Sequence, residues 1–135
     1  VNDSVLSGFA LKNGRAGGTW PQSAGGGVSS GYFGVVSNCL ITGNSAEYGG
    51  GAYGGNIYNC NLLGNAAHSG GGGSYNSTLH NATLVGNSAD SGGGVSSSTL
   101  NNCTLTGNSA NYGGGASGGR GVGLPGGGTT TTVIG

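Results

Sequence analysis

Apolar side chains fall at alternate positions inside one heptad that recurs along most of this chain. It reads NCLITGN at Asn38 to Asn44, NCNLLGN at Asn59 to Asn65, NATLVGN at Asn81 to Asn87 and NCTLTGN at Asn102 to Asn108. Within it Cys39 and Ile41, Cys60 and Leu62, Ala82 and Leu84, and Cys103 and Leu105 stand two residues apart, the period of a strand with one buried face. The copies are spaced by 21, 22 and 21 residues. Five residues beyond each terminal Asn a glycine triplet opens, at Gly49, Gly70, Gly92 and Gly113. Two residues before each initial Asn stands an aliphatic side chain: Val36, Ile57, Leu79 or Leu100. The single extra residue of the second copy is expected in a loop between its glycine run, Gly70 to Gly73, and Leu79. A degenerate copy, LSGFALKNG at Leu6 to Gly14, comes first and is followed by a Trp20-Pro21 excursion before Gly25 to Gly27.

A unit this short has no room for paired helices, and each glycine would weaken a helix by about 1 kcal/mol. It suits one coil of a β-solenoid. The predicted fold is therefore all-β, a parallel β-helix of about five 21-22-residue coils. With ~4.8 Å between stacked strands, five coils make a rod about 24 Å tall. Its core is a narrow column in which each buried Leu or Ile contributes about 1.5 to 3 kcal/mol. The Gly-Asn pairs at 43/44, 64/65, 86/87 and 107/108 are expected at corners in the left-handed conformation. A stacked Asn column exchanges side-chain amide hydrogen bonds from coil to coil. Ala46, Ala67, Ala89 and Ala110 supply a small inward residue, and the glycine triplets a flat wall open to another backbone or surface. The organisation is a repeat domain over 1–116 (degenerate first coil 1–37, regular coils 38–116), a glycine-rich linker over 117–128 and a β-prone tail over 129–135.

The unit resembles the repeats of right-handed parallel β-helices in bacterial surface proteins, especially the polymorphic outer-membrane type within the pectate-lyase-like superfamily. Ile41-Thr42-Gly43-Asn44, Leu62-Leu63-Gly64-Asn65, Leu84-Val85-Gly86-Asn87 and Leu105-Thr106-Gly107-Asn108 match that type's Phe-x-x-Asn element with an aliphatic in place of Phe. Gly50-Gly51-Ala52, Gly93-Gly94-Val95 and Gly114-Gly115-Ala116 approximate its Gly-Gly-Ala-aliphatic element. The resemblance covers roughly residues 5 to 117 and implies the right-handed coil. The fold serves enzymes, adhesins and stalks alike, so activity does not follow from it.

Composition narrows the function. Of 135 residues 36 are glycine and six are charged, three of each sign. Such a balance carries no basic stripe for nucleic acid and no attraction to an anionic membrane. No stretch approaches the ~18 consecutive apolar residues of a spanning helix. Without an initiating Met or a charged-then-apolar leader, the chain is read as a mature fragment or an excised domain. Regular placement of the glycines argues against both collagen and disordered low complexity.

Aligning the repeats brings Glu47, His68, Asp90 and Asn111 into one column. Two carboxylates flanking an imidazole are the material of acid–base chemistry or of a metal site. The competing reading is a variable, solvated turn. Tyr48 and Tyr112 follow two members of the column, and with Tyr53, Tyr58 and Tyr75 they are candidates for stacking on sugar rings or for packing. Cys39, Cys60 and Cys103 share an inward slot that Ala82 fills in the remaining copy, which favours buried thiols over a metal site or a bridge. Sequons occur at Asn2, Asn76, Asn81 and Asn102; Asn81 and Asn102 belong to the repeat's corner, leaving Asn2 and Asn76 as acceptors.

The structural ladder thus comprises Asn38, Asn59, Asn81 and Asn102, Asn44, Asn65, Asn87 and Asn108, the three cysteines, and Ile41, Leu62, Leu84 and Leu105. The expected function is a non-enzymatic structural or adhesive module, extracellular or at the cell surface, stacking end to end into a stalk or filament. No cofactor and no metal is expected. Partners are further coils of a longer polypeptide or identical subunits, with contact to a cell surface or glycan; a truncated piece with frayed ends is the plain alternative. The runner-up is a fragment of a polysaccharide-active or glycan-binding β-helix using Glu47, His68 and Asp90. Ice binding through Thr104 and Thr106 is weaker, because Leu40, Asn61, Leu63 and Val85 interrupt the hydroxyl array.

Overall fold

The computed structural model describes residues 4–19, 22–118 and 132–133, and every regular element among them is a β-strand. All strand pairings are parallel. The chain winds as a β-solenoid whose three faces are three stacked sheets. Face A is bent: Val28–Ser37 and Ala52–Tyr58 run through the bend, whereas later coils split into Ser74–Tyr75 with Thr78–His80 and Val95–Ser96 with Thr99–Asn101. Val5–Ser7 and Ala116–Ser117 lie at its ends. Face B stacks Ala10–Lys12, Leu40–Thr42, Asn61–Leu63, Thr83–Val85 and Thr104–Thr106. Face C stacks Ser45–Tyr48, Ala66–Gly70, Ser88–Ser91 and Ser109–Tyr112.

The solenoid has about four turns rather than five. The first coil supplies strands to faces A and B but only isolated bridges, Arg15 to Ser45 and Ala24 to Tyr48, on face C. The Trp20-Pro21 excursion, most of the linker (119–128), the Asn2 sequon and all of the tail but Thr132–Val133 lie outside the described residues.

The alternation in the heptad builds the core directly. Leu11, Ile41, Leu62, Leu84 and Leu105 are the middle residues of the face B strands and lie in register. Leu6, Val36, Ile57, Leu79 and Leu100 form the matching column on face A. Cys39, Cys60, Ala82 and Cys103 complete the same apolar cluster.

All three cysteines are free and buried. Burial pushes the Cys60 thiol up to about 11 from its ordinary 9.0 and raises Cys103 as well. A thiol in the unfolded chain therefore releases its proton at lower pH than the folded one. The contribution of the buried Cys60 thiol to stability is full below pH 9 and is lost as the pH rises through 11. A thiol reagent at pH 8 is expected to label the native protein only as fast as it opens, and to label all three cysteines at once after denaturation. Rapid labelling of the native chain would contradict the buried slot.

The extra residue and the glycine wall also differ from expectation. The extra residue of the second copy lies not between Gly73 and Leu79 but in the strand Ala66–Gly70. There Ala46 pairs with Ala67 while Tyr48 pairs with Gly70, leaving two residues opposite Glu47. The segment after the glycines has no slack, because Ser74 and Ser77 are buried and joined by a 2.7 Å hydrogen bond. A bulge on the outer side of face C is the cheaper place for an insertion. Nor are the glycine triplets an open wall. Gly49 to Gly51, Gly71 to Gly73 and Gly92 to Gly94 are buried: the second and third glycine of each lie against the next coil's backbone and the first against its own coil's carbonyl three residues on. Only on the last coil does a triplet open out, at Gly113.

Corners divide the work between glycine and asparagine differently from the expectation. In each Gly-Asn pair only the glycine is left-handed, with φ from 60° to 64°, while the exposed asparagines that open each heptad, Asn38, Asn59, Asn81 and Asn102, take φ from 51° to 53°.

Candidate functional site

The asparagines that close each heptad form a continuous buried chain of hydrogen bonds parallel to the solenoid axis. The backbone N–H of Asn44 donates to Asn65 Oδ1 at 3.0 Å, that of Asn65 to Asn87 Oδ1 at 2.9 Å, and that of Asn87 to Asn108 Oδ1 at 2.9 Å. Each Nδ2 repeats the step, reaching the same Oδ1 at 2.9 to 3.0 Å. The other Nδ2 proton goes back one coil, from Asn44 to Leu11 O, Asn65 to Ile41 O, Asn87 to Leu62 O and Asn108 to Leu84 O. A side-chain carboxamide is required, because one planar group must accept from one neighbouring coil while donating to both. Burial makes the requirement strict, since an unmet polar group inside costs more than a made bond returns.

On face C the bulge rearranges the proposed column. Ser69, not His68, donates its hydroxyl to Glu47 Oε1. His68 is exposed, between one shallow depression that includes Ser69, Asp90 and Asn111 and another that includes Arg15 and Glu47. Asn111 Nδ2 donates to Asp90 Oδ1 at 2.7 Å. Each carboxylate thus has its own neutral partner on its own side of His68. Among the described residues no group of three His, Cys, Asp or Glu side chains is placed to hold a metal ion.

The tyrosines pack mainly on one another. Tyr75 meets Tyr48 edge-on at 5.1 Å and stacks on Tyr53 at 5.7 Å, and Tyr58 stacks on His80 at 4.7 Å. Burial raises the Tyr53 phenol above its ordinary value against a hydrogen bond with Asn76 that lowers it. Tyr112, on the last coil, is exposed. Asn76 is half-buried at a left-handed bend, whereas the other two described sequon asparagines are exposed and bonded to each other, Asn102 Nδ2 to Asn81 Oδ1 at 2.6 Å.

The outward columns of face B mix residue types. One runs Ala10, Leu40, Asn61, Thr83, Thr104 and the other Lys12, Thr42, Leu63, Val85, Thr106. Sequence reasoning missed a second buried polar set, Ser74, Ser77, Ser96 and Ser98, in which Ser77 N–H donates to Ser98 Oγ at 3.2 Å. It also missed the projection at Ser30 to Gly34 that leaves Tyr32 and Phe33 exposed. Serines and a short Ser-Gly-Tyr-Phe-Gly run carry no repeat signal that would have marked either.

Compared with known proteins, the chain matches no family model, no curated protein and no solved structure.

Proposed function

We propose that this chain is a non-enzymatic structural segment of an extracellular or cell-surface shaft, a β-solenoid whose ends join further coils, in the same polypeptide or in identical subunits, to build a stalk or filament. The observation that carries this reading is the apolar rim of the first coil. Val5 and Phe9 are 64% and 58% exposed there, and among the described residues only Lys12 and Arg15 bring charge to that coil to keep sheet edges apart. Soluble β-proteins commonly guard such edges with charge, proline or a covering element. The two separate carboxylates on face C, each tied to a neutral neighbour, are surface hydrogen-bonding residues in this reading.

Sedimentation velocity over a concentration series, with electron microscopy of the same samples, tests the proposal. Association is expected to grow with concentration and to give rods longer than the roughly 20 Å of four turns. Phe9→Lys is expected to move association to higher concentration without lowering the melting temperature. A chain that stays monomeric at the highest concentration would overturn joining through identical subunits.

A further inference from the structure

The asparagine ladder has a direction, and its last rung is incomplete. Asn44, Asn65 and Asn87 each place a backbone N–H and an Nδ2–H on the Oδ1 of the asparagine one coil further on. Asn108 is in the same place, is only 4% exposed, and gives one Nδ2 proton to Leu84 O. Its backbone N–H and its second Nδ2 proton meet no acceptor among the described residues. Two donors converge, nine-tenths buried, on the point where the next coil's Oδ1 would stand. At the other end the ladder closes differently: Gly14 occupies the position, and its N–H donates to Asn44 Oδ1 at 2.7 Å.

We infer that the C-terminal rim of the solenoid is a recognition surface for one kind of partner, a β-solenoid coil presenting an asparagine side-chain carbonyl over Asn108. The inference rests on the proposal that the ends join, and it names what this end accepts. The first coil of a second copy could stack on this rim but would leave the rung unfilled, because in head-to-tail register Gly14 would lie over Asn108 and offers no side-chain oxygen. The chain's own Thr132–Val133 already follows the rim in the register that such a coil requires, with Thr132 opposite Thr104 and Val133 opposite Leu105. Asn108 stands three residues after Leu105, so an asparagine added three residues after Val133 would match it if that register were kept.

The test extends the full chain after Gly135 with a copy of residues 108–117, whose first added residue is asparagine. A second extension has leucine at that one place. The asparagine extension is expected to raise the melting temperature by about 4 °C or more over the parent. It should also slow hydrogen exchange at the Asn108 amide at least tenfold, and the leucine version should do neither. Equal gains from the two extensions, or no gain from either, would overturn the inference. Sedimentation of the parent chain separates the two proposals: a monomeric parent counts against self-stacking, while asparagine-dependent stabilisation bears only on the rim. Parent filaments whose ends protect Asn108 as well as the asparagine extension does would show that a second copy fills the site and would also overturn it.

Discussion

Asn87→Leu is expected to destabilise the protein by about 4 kcal/mol, whereas Asn59→Gly in a neighbouring heptad should change stability by less than about 1 kcal/mol. Leucine nearly matches asparagine in shape but has no polar atom. In its place the backbone N–H and Nδ2 of Asn65, which now donate to Asn87 Oδ1 at 2.9 and 3.0 Å, would lose their acceptor in a fully buried site. Leu62 O and Asn108 Oδ1 would each lose one donor. Asn59 is exposed at a left-handed corner, φ 53°, a conformation that glycine adopts freely. Urea unfolding followed by circular dichroism measures both. Equal effects for the two substitutions would refute the division between ladder and corner asparagines.

That division was only half legible in the sequence. Every heptad begins and ends with asparagine, and spacing alone places both in columns. The rule that Gly-Asn tolerates left-handed geometry pointed to the closing asparagine, yet the corner glycine takes that geometry and frees the asparagine for hydrogen bonding inside. The aliphatic columns were fully legible, because Ile41, Leu62, Leu84 and Leu105 recur at fixed spacing and like stacks on like. The face C column was misread for a local reason. Counting forward from each Gly-Asn pair aligns Glu47 with His68, and only the pairing of Tyr48 with Gly70 reveals the bulge that presents Ser69 to Glu47 instead. A glycine run of four, Gly70 to Gly73, hides which three glycines are the triplet; the left-handed φ of 66° at Gly71, matching 62° at Gly49 and Gly92, identifies it as the first.

Gly72→Ala should be nearly as damaging, at about 3 kcal/mol or more, although it adds a single methyl group. A Cβ at Gly72 would lie 2.6 Å from the Ser88 amide nitrogen and closer still to the carbonyl oxygens of Ser88 and Gly93. These are backbone atoms, so no side chain can rotate aside to make room. Nor can the coils separate locally: Gly72 N–H donates to Gly92 O at 3.2 Å, and Gly51 N–H donates to Gly72 O at 3.0 Å. Widening that spacing breaks hydrogen bonds on both sides, and the strain passes to the adjoining triplets. Gly86→Ala provides the contrast. Gly86 is left-handed, φ 64°, but nothing lies within 4 Å of its added Cβ, so the cost is the backbone term alone, about 1 to 2 kcal/mol. Conformational freedom as the main use of glycine in this chain predicts that Gly86 suffers more than Gly72. Close approach of one coil's backbone to the next predicts the reverse order, and thermal unfolding of the two variants decides between them. If Gly72→Ala melts with the parent, the triplets are spacers rather than the surface on which coils meet. If it fails to fold while Gly86→Ala survives, the abundance of glycine reflects the distance at which these coils stack.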